Sequence, residues 1–148
     1  MKYTWDLPDP FIMEMSVAGE DIDGLGHANN ASYVVWCEQT AWQHSESLGL
    51  SIRDYQRLDR AVAIQEATYR YFSPGFAGDR LGIGTWLVAC DGKLRLERRF
   101  QVVNLTTGAV LMRGHWKLVA VILSSGKATR LPREFLDVYQ SALVSQEI

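Results

Sequence analysis

Early in the chain, Ala31, Tyr33, Val34, Val35, Trp36 and Cys37 follow one another almost without a polar break. An Asn at 29 or 30 can cap a helix there, because its side chain accepts a hydrogen bond from an otherwise unpaired first-turn N–H. Gly49 supplies the left-handed freedom that favours a helix stop. The stretch spans about 18 residues, or roughly 27 Å. A helix apolar on every side is normally buried, so this one is expected inside the fold. Its later part turns polar at Glu38, Gln39, Gln43 and His44.

Almost everything else reads as strand. Phe11, Met13, Met15 and Val17 alternate with Ile12, Glu14 and Ser16, a period of two. Residues 61–72 are rich in strand formers and are closed by Pro74 and Gly75. Leu81 to Cys90 places Leu81, Ile83, Thr85, Leu87 and Ala89 on one face. Asp91-Gly92 predicts a two-residue type I′ hairpin, which needs positive φ at both positions. Lys93 to Leu105 returns with Leu94, Leu96, Phe100 and Val102 on one face, and Arg98 interrupts it. A turn at 106–108 leads to a strand over 109–123. A last helix is expected from Pro132, with an apolar stripe from Phe135 to Leu143. Consecutive hairpins imply an antiparallel sheet. The expected class is α+β, one domain over 1–148, with the sheet wrapped around the long helix. Exposed sheet edges then favour pairing between copies, giving a homodimer or homotetramer.

Composition narrows the chemistry. A net charge of −2, from 15 basic and 17 acidic residues, speaks against a nucleic-acid partner. No run reaches the roughly 20 apolar residues of a membrane span. MKYTWDLPDP lacks the apolar stretch of an export signal. Cys37 and Cys90 are therefore expected as reduced thiols in the cytoplasm. His27, His44 and His115 are scattered, so no metal or other cofactor is expected.

The chemistry concentrates between the first strand and the helix, in Asp21-Ile22-Asp23-Gly24-Leu25-Gly26-His27-Ala28-Asn29-Asn30. Two acids precede a helix N-terminus, and two glycines let the chain turn between them. A helix start presents free N–H groups and about half a positive charge. It can hold a developing oxyanion. A nearby carboxylate can attack the polarised carbonyl or activate a water. Either acid is also a good turn former, and Asp21 reads as structural.

The pattern DxDxxGHxNNxxY resembles the signature of the hotdog-fold acyl-CoA thioesterases, of the 4-hydroxybenzoyl-CoA thioesterase type and its long-chain acyl-CoA relatives. Tyr71-Phe72-Ser73-Pro74, Gly78-Asp79-Arg80-Leu81 and the segment 126–132 resemble further parts of that family. The resemblance implies a single hotdog domain that hydrolyses an acyl-CoA to free acid and CoA. Asp23 would be nucleophile or general base, and backbone amides near Asn29 and Asn30 would hold the carbonyl. His27 would brace the loop or touch substrate, and Tyr33 would line an acyl pocket. Ala28 stands where the family usually has Val. The hydroxybenzoyl branch has apolar or aromatic residues at positions 27, 29 and 30, which favours the acyl-CoA branch here. In another hotdog branch the acid is a helical Glu, and Glu38 is the corresponding backup. Arg98, Lys127 and Arg130 are the candidates for the CoA phosphates, since such contacts are charge-assisted. An acyl-ACP thioesterase and a non-catalytic acyl-CoA binding protein are the alternatives on this fold.

Overall fold

The computed structural model describes residues 4–146. Strand β1 (Phe11–Ser16) is followed by a short 3₁₀ turn at Gly19–Asp21 and the long helix α1 (Asn30–Ser47). A short helix α2 (Ile52–Leu58) leads into β2 (Arg60–Tyr71), β3 (Arg80–Cys90), β4 (Arg95–Asn104) and β5 (Val110–Ile122). Helix α3 (Arg133–Ser141) closes the order. The strands form one antiparallel sheet in the order β1-β3-β4-β5-β2.

The caps follow the sequence closely. The Asn29 side chain accepts from the Ala31 N–H at 2.9 Å and so starts α1. Gly49, at φ 102°, takes the left-handed position just past its end. Ser51 and Asp54 form a reciprocal capping box on α2. Pro132 is the N-cap of α3, so the helix begins at Arg133, one residue later than expected.

Three sequence expectations are corrected. First, β2 and β3 are consecutive but not neighbours: β2 crosses to pair with β5, and β3 pairs with β1 and β4. Second, Asp91 does not adopt positive φ; only Gly92 of the pair does. The β3–β4 connection is longer than two residues, because Asp91 Oδ1 accepts from the N–H groups of Lys93, Leu94 and Arg95. A side chain that satisfies three amides replaces the backbone of a tight turn. Third, α1 is not buried all round. Tyr33, Trp36, Cys37, Thr40 and His44 face the sheet, while Val35 is 51% exposed.

Strand β3 is covered on both faces. α1 lies on one face. On the other, the N-terminal segment folds back over it. Trp5 lies so close to Gly84 that an added Cβ would sit 2.6 Å from its ring. Asp6 pairs with Arg113 at 2.7 Å, and the Asp6 N–H donates to Gln101 Oε1. At the opposite side of the sheet, β2 is a long edge strand whose residues 64–68 are all exposed.

Candidate active site

The loop ahead of α1 is tied down by its own backbone. The Asp23 N–H donates to His27 O at 2.8 Å, and Gly26, at φ 82°, makes the turn between them. Asp23 Oδ1 accepts from the N–H groups of Leu25 (2.8 Å) and His27 (3.2 Å). One oxygen of the carboxylate is thus fixed, and Oδ2 has no protein partner among the described residues. Asp21 is spent on structure. Its carboxylate accepts from the Ala18 N–H and the Ser32 hydroxyl, and its carbonyl takes the Asn29 N–H at 2.7 Å.

These bonds decide which helix-start amides are free. The Asn29 N–H is occupied by Asp21, and the Ala31 N–H by the Asn29 side chain. The Asn30 N–H has no acceptor among the described residues. Asn30 and Asp23 line the same pocket.

That pocket, of about 380 Å³, also takes walls from residues distant in sequence. Tyr71, Phe72, Ser73 and Pro74 come from the end of β2 and the turn after it. The Tyr71 hydroxyl donates to Asn30 O at 3.2 Å, joining the strand end to the helix start. The Ala28 N–H donates to Gly75 O at 2.8 Å. A Cβ at Gly75 would meet the Tyr33 hydroxyl at 3.0 Å, a tight contact that Tyr33 could relieve only by giving way a few tenths of an ångström. Tyr33 is buried, its hydroxyl pKa raised by desolvation, and its ring packs edge-on against Trp36 and Tyr71. His27 packs edge-on against Phe76.

Asp23, His27, Asn30 and Tyr33 are therefore brought together, with Asn29 as the adjacent cap. The three basic candidates are not. Arg98 is only 5% exposed and lies beneath α1, which removes it from solvent and from any solvated diphosphate. The Ile122 N–H donates to Lys127 O, and Ile122 lies opposite Arg60, whereas Met112 lies opposite Tyr71. Ten strand residues, roughly 33 Å, separate these ends of β5. Lys127, with Arg130 three residues on, is therefore far from Asp23 within one protomer. The cations beside the pocket are Arg70 and Arg113, paired across β2 and β5 and both over the Phe72 ring. Their sequence signal was only a place on alternating strand faces. Tyr71 and Phe72 were visible as a motif but not as pocket walls. Glu38 is exposed, two turns along α1 from the loop.

A family model described as "Thioesterase-like superfamily" matches residues 17–139. In sequence, the chain is 32% identical over 68 residues to the chloroplastic acyl-acyl carrier protein thioesterase ATL3 of Arabidopsis thaliana. That stretch is 46% of this chain but only 36% of the relative. In structure, it is similar to a 1,4-dihydroxy-2-naphthoyl-CoA thioesterase from Synechocystis, with a TM-score of 0.79 and 22% identity, covering 91% of this chain and 96% of that one. A Staphylococcus aureus protein solved in complex with CoA aligns with a TM-score of 0.81 and 18% identity, over 93% of this chain and 87% of its own.

Proposed function

The chain belongs to the thioesterase-like superfamily, and from that premise we propose that it hydrolyses an acyl-CoA thioester to free acid and CoA at the Asp23 pocket. The observation that carries this reading is one pairing: an unpartnered carboxylate oxygen, Asp23 Oδ2, and an unpaired amide, Asn30 N–H, on the same cavity. The amide N–H donates a hydrogen bond to the thioester oxygen as negative charge develops on it. As general base, Asp23 takes a proton from a water that attacks the thioester carbon. The carbon–sulfur bond then breaks, and the thiol leaves with that proton. As nucleophile, Asp23 attacks the thioester carbon, the carbon–sulfur bond breaks and CoA leaves as a thiolate that takes a proton from solvent. Water then cleaves the acyl anhydride to the free acid and the Asp23 carboxylate. His27 holds the carboxylate through its backbone N–H, Asn29 orders the helix start, and Tyr33 walls the acyl site. No metal or organic cofactor takes part in this scheme.

Asp23→Asn tests it directly. The amide keeps an oxygen for the Leu25 and His27 N–H groups, so the loop survives while base and nucleophile are lost. Free-thiol release across a panel of acyl-CoAs should then collapse. Turnover near wild type would remove Asp23 from the mechanism.

The match to ATL3 supports a second reading, in which acyl-acyl carrier protein is the substrate. Comparing the same acyl group on both carriers separates the two. For assembly, the favoured contact is β2 against β2 of a second copy. At 12 residues it is twice the length of the other edge, β1, and its middle is uncovered. Light scattering should give a homodimer or homotetramer. Arg70 and the segment 127–130 are the cations left to meet CoA, the latter reaching the pocket from a partner subunit.

A further inference from the structure

A second cavity, of about 290 Å³, lies beneath the C-terminal half of α1 and shares no lining residue with the Asp23 pocket. Its sheet side is apolar, with Leu87, Leu96, Trp116 and Leu118. Into it comes Arg98, itself 5% exposed. Its Nη1 donates to His44 Nδ1 at 2.9 Å and to Thr85 Oγ1 at 3.2 Å. Because a guanidinium only donates, His44 must offer a bare Nδ1, and so is neutral. Neither partner balances the charge, and no carboxylate among the described residues forms an ion pair with Arg98.

Two further observations fix what faces the cavity. Every completely buried side-chain nitrogen or oxygen among the described residues has a partner. Nε and Nη2 of Arg98 have no acceptor among the described residues, so they are not completely buried, and Arg98 lines the cavity. The neighbouring hydroxyls are already committed. Ser45 donates to Leu50 O at 2.8 Å, so Tyr139 donates to Ser45 and Tyr55 to Tyr139. Beside these committed hydroxyls, Nε and Nη2 of Arg98 remain unused donors. Glu38 also lines the cavity, at its exposed side, but it forms no ion pair with Arg98, and a buried cation without a bonded counter-ion is costly. The planar fork of Arg98 matches a carboxylate with two parallel bonds.

We propose that this cavity binds a compact amphipathic carboxylate, its head on Arg98 and its apolar body against Leu96, Trp116 and Leu118. The volume sits at the low end of small-molecule sites. Such a head has two sources: a free acid, or the far end of an acyl group that carries a second carboxylate. The free-acid source is independent of the thioesterase reading, the acyl-group source rests on it, and the binding arm below tests the cavity without it.

The protein is titrated with octanoate and with octanamide, by calorimetry and by the fluorescence of Trp42 and Trp116, both of which line the cavity. Octanoate binding at least tenfold tighter than octanamide, with the difference abolished in Arg98→Met, supports the free-acid source. A turnover preference for adipoyl-CoA over hexanoyl-CoA that Arg98→Met abolishes supports the second source. Equal binding of octanoate and octanamide by the wild type, with no preference between the two thioesters, overturns the proposal. So does a carboxylate preference that persists in Arg98→Met. The wild-type comparison of acid and amide needs no variant to fold, and it reads the cavity whether or not any thioester is cleaved.

Discussion

At its N-terminus α1 faces a carboxylate held by two amides two and four residues away. Beneath its C-terminal half it covers a guanidinium whose neighbours come from α1, α2, α3 and four strands. The first charge is half-buried, in a loop that folds on itself. The second is buried within the tertiary core, 5% exposed. Local hydrogen bonding alone can present the first. Only packing can hold the second, and packing gains nothing from a cation without a counter-ion. The two ends should therefore answer substitution in opposite ways.

The largest effect expected is at the loop. Asp23→Asn should lower thioester turnover by about 100- to 10,000-fold, the range of general acid–base catalysis, while Tm stays within a degree. A fall in Tm alongside the lost activity would make Asp23 a structural residue, like the charge at the other end.

Acid should find the buried end first. Burial, then the neighbouring Arg98, lowers the His44 pKa from 6.5 to about 4. The unfolded chain therefore binds a proton that the folded one refuses. Stability from this group is complete above pH 6.5 and is lost as pH falls toward 4. The loss is on the order of 2 kcal/mol once solvent screening is allowed for. Denaturant unfolding at pH 7 and pH 4.5 measures it, and His44→Gln should flatten that part of the difference.

Arg98→Met should move stability the other way. Replacing an unbalanced buried charge with an apolar chain of similar length should stabilise by about 1–2 kcal/mol, read as a Tm higher by a few degrees. A marked fall would mean that the bonds to His44 and Thr85 outweigh the desolvation of the cation. The smallest effect separates two changes at one position. Asp23→Ala should be less stable than Asp23→Asn by about 0.5–1 kcal/mol, because only Asn keeps the acceptor for the loop amides.

The loop was legible because its interactions are short in sequence. Asp23, Gly26 and His27 close their bonds within five residues, and Asn29 caps the helix two residues on. Strand positions were legible for the same reason, since alternation is local. The strand order was not. Nothing in residues 60–71 says that β2 skips β3 and pairs with β5, because pairing partners are chosen by what the crossover can bury. The Asp91-Gly92 expectation failed at a finer level. The dipeptide is right for a turn, yet the Asp91 side chain captured three amides and lengthened it. Arg98 was visible as a break in an apolar strand face, but that break fitted a solvent cation equally well until α1 was in place.

The sequence by itself determined the elements, their caps and the acid loop ahead of the helix, because each depends on groups a few bonds apart. The tertiary structure alone decided two things: which aromatic residues wall the Asp23 pocket, and that Arg98 points inward. Those depend on which distant surfaces exclude water from one another, and residue spacing along a chain carries no record of that.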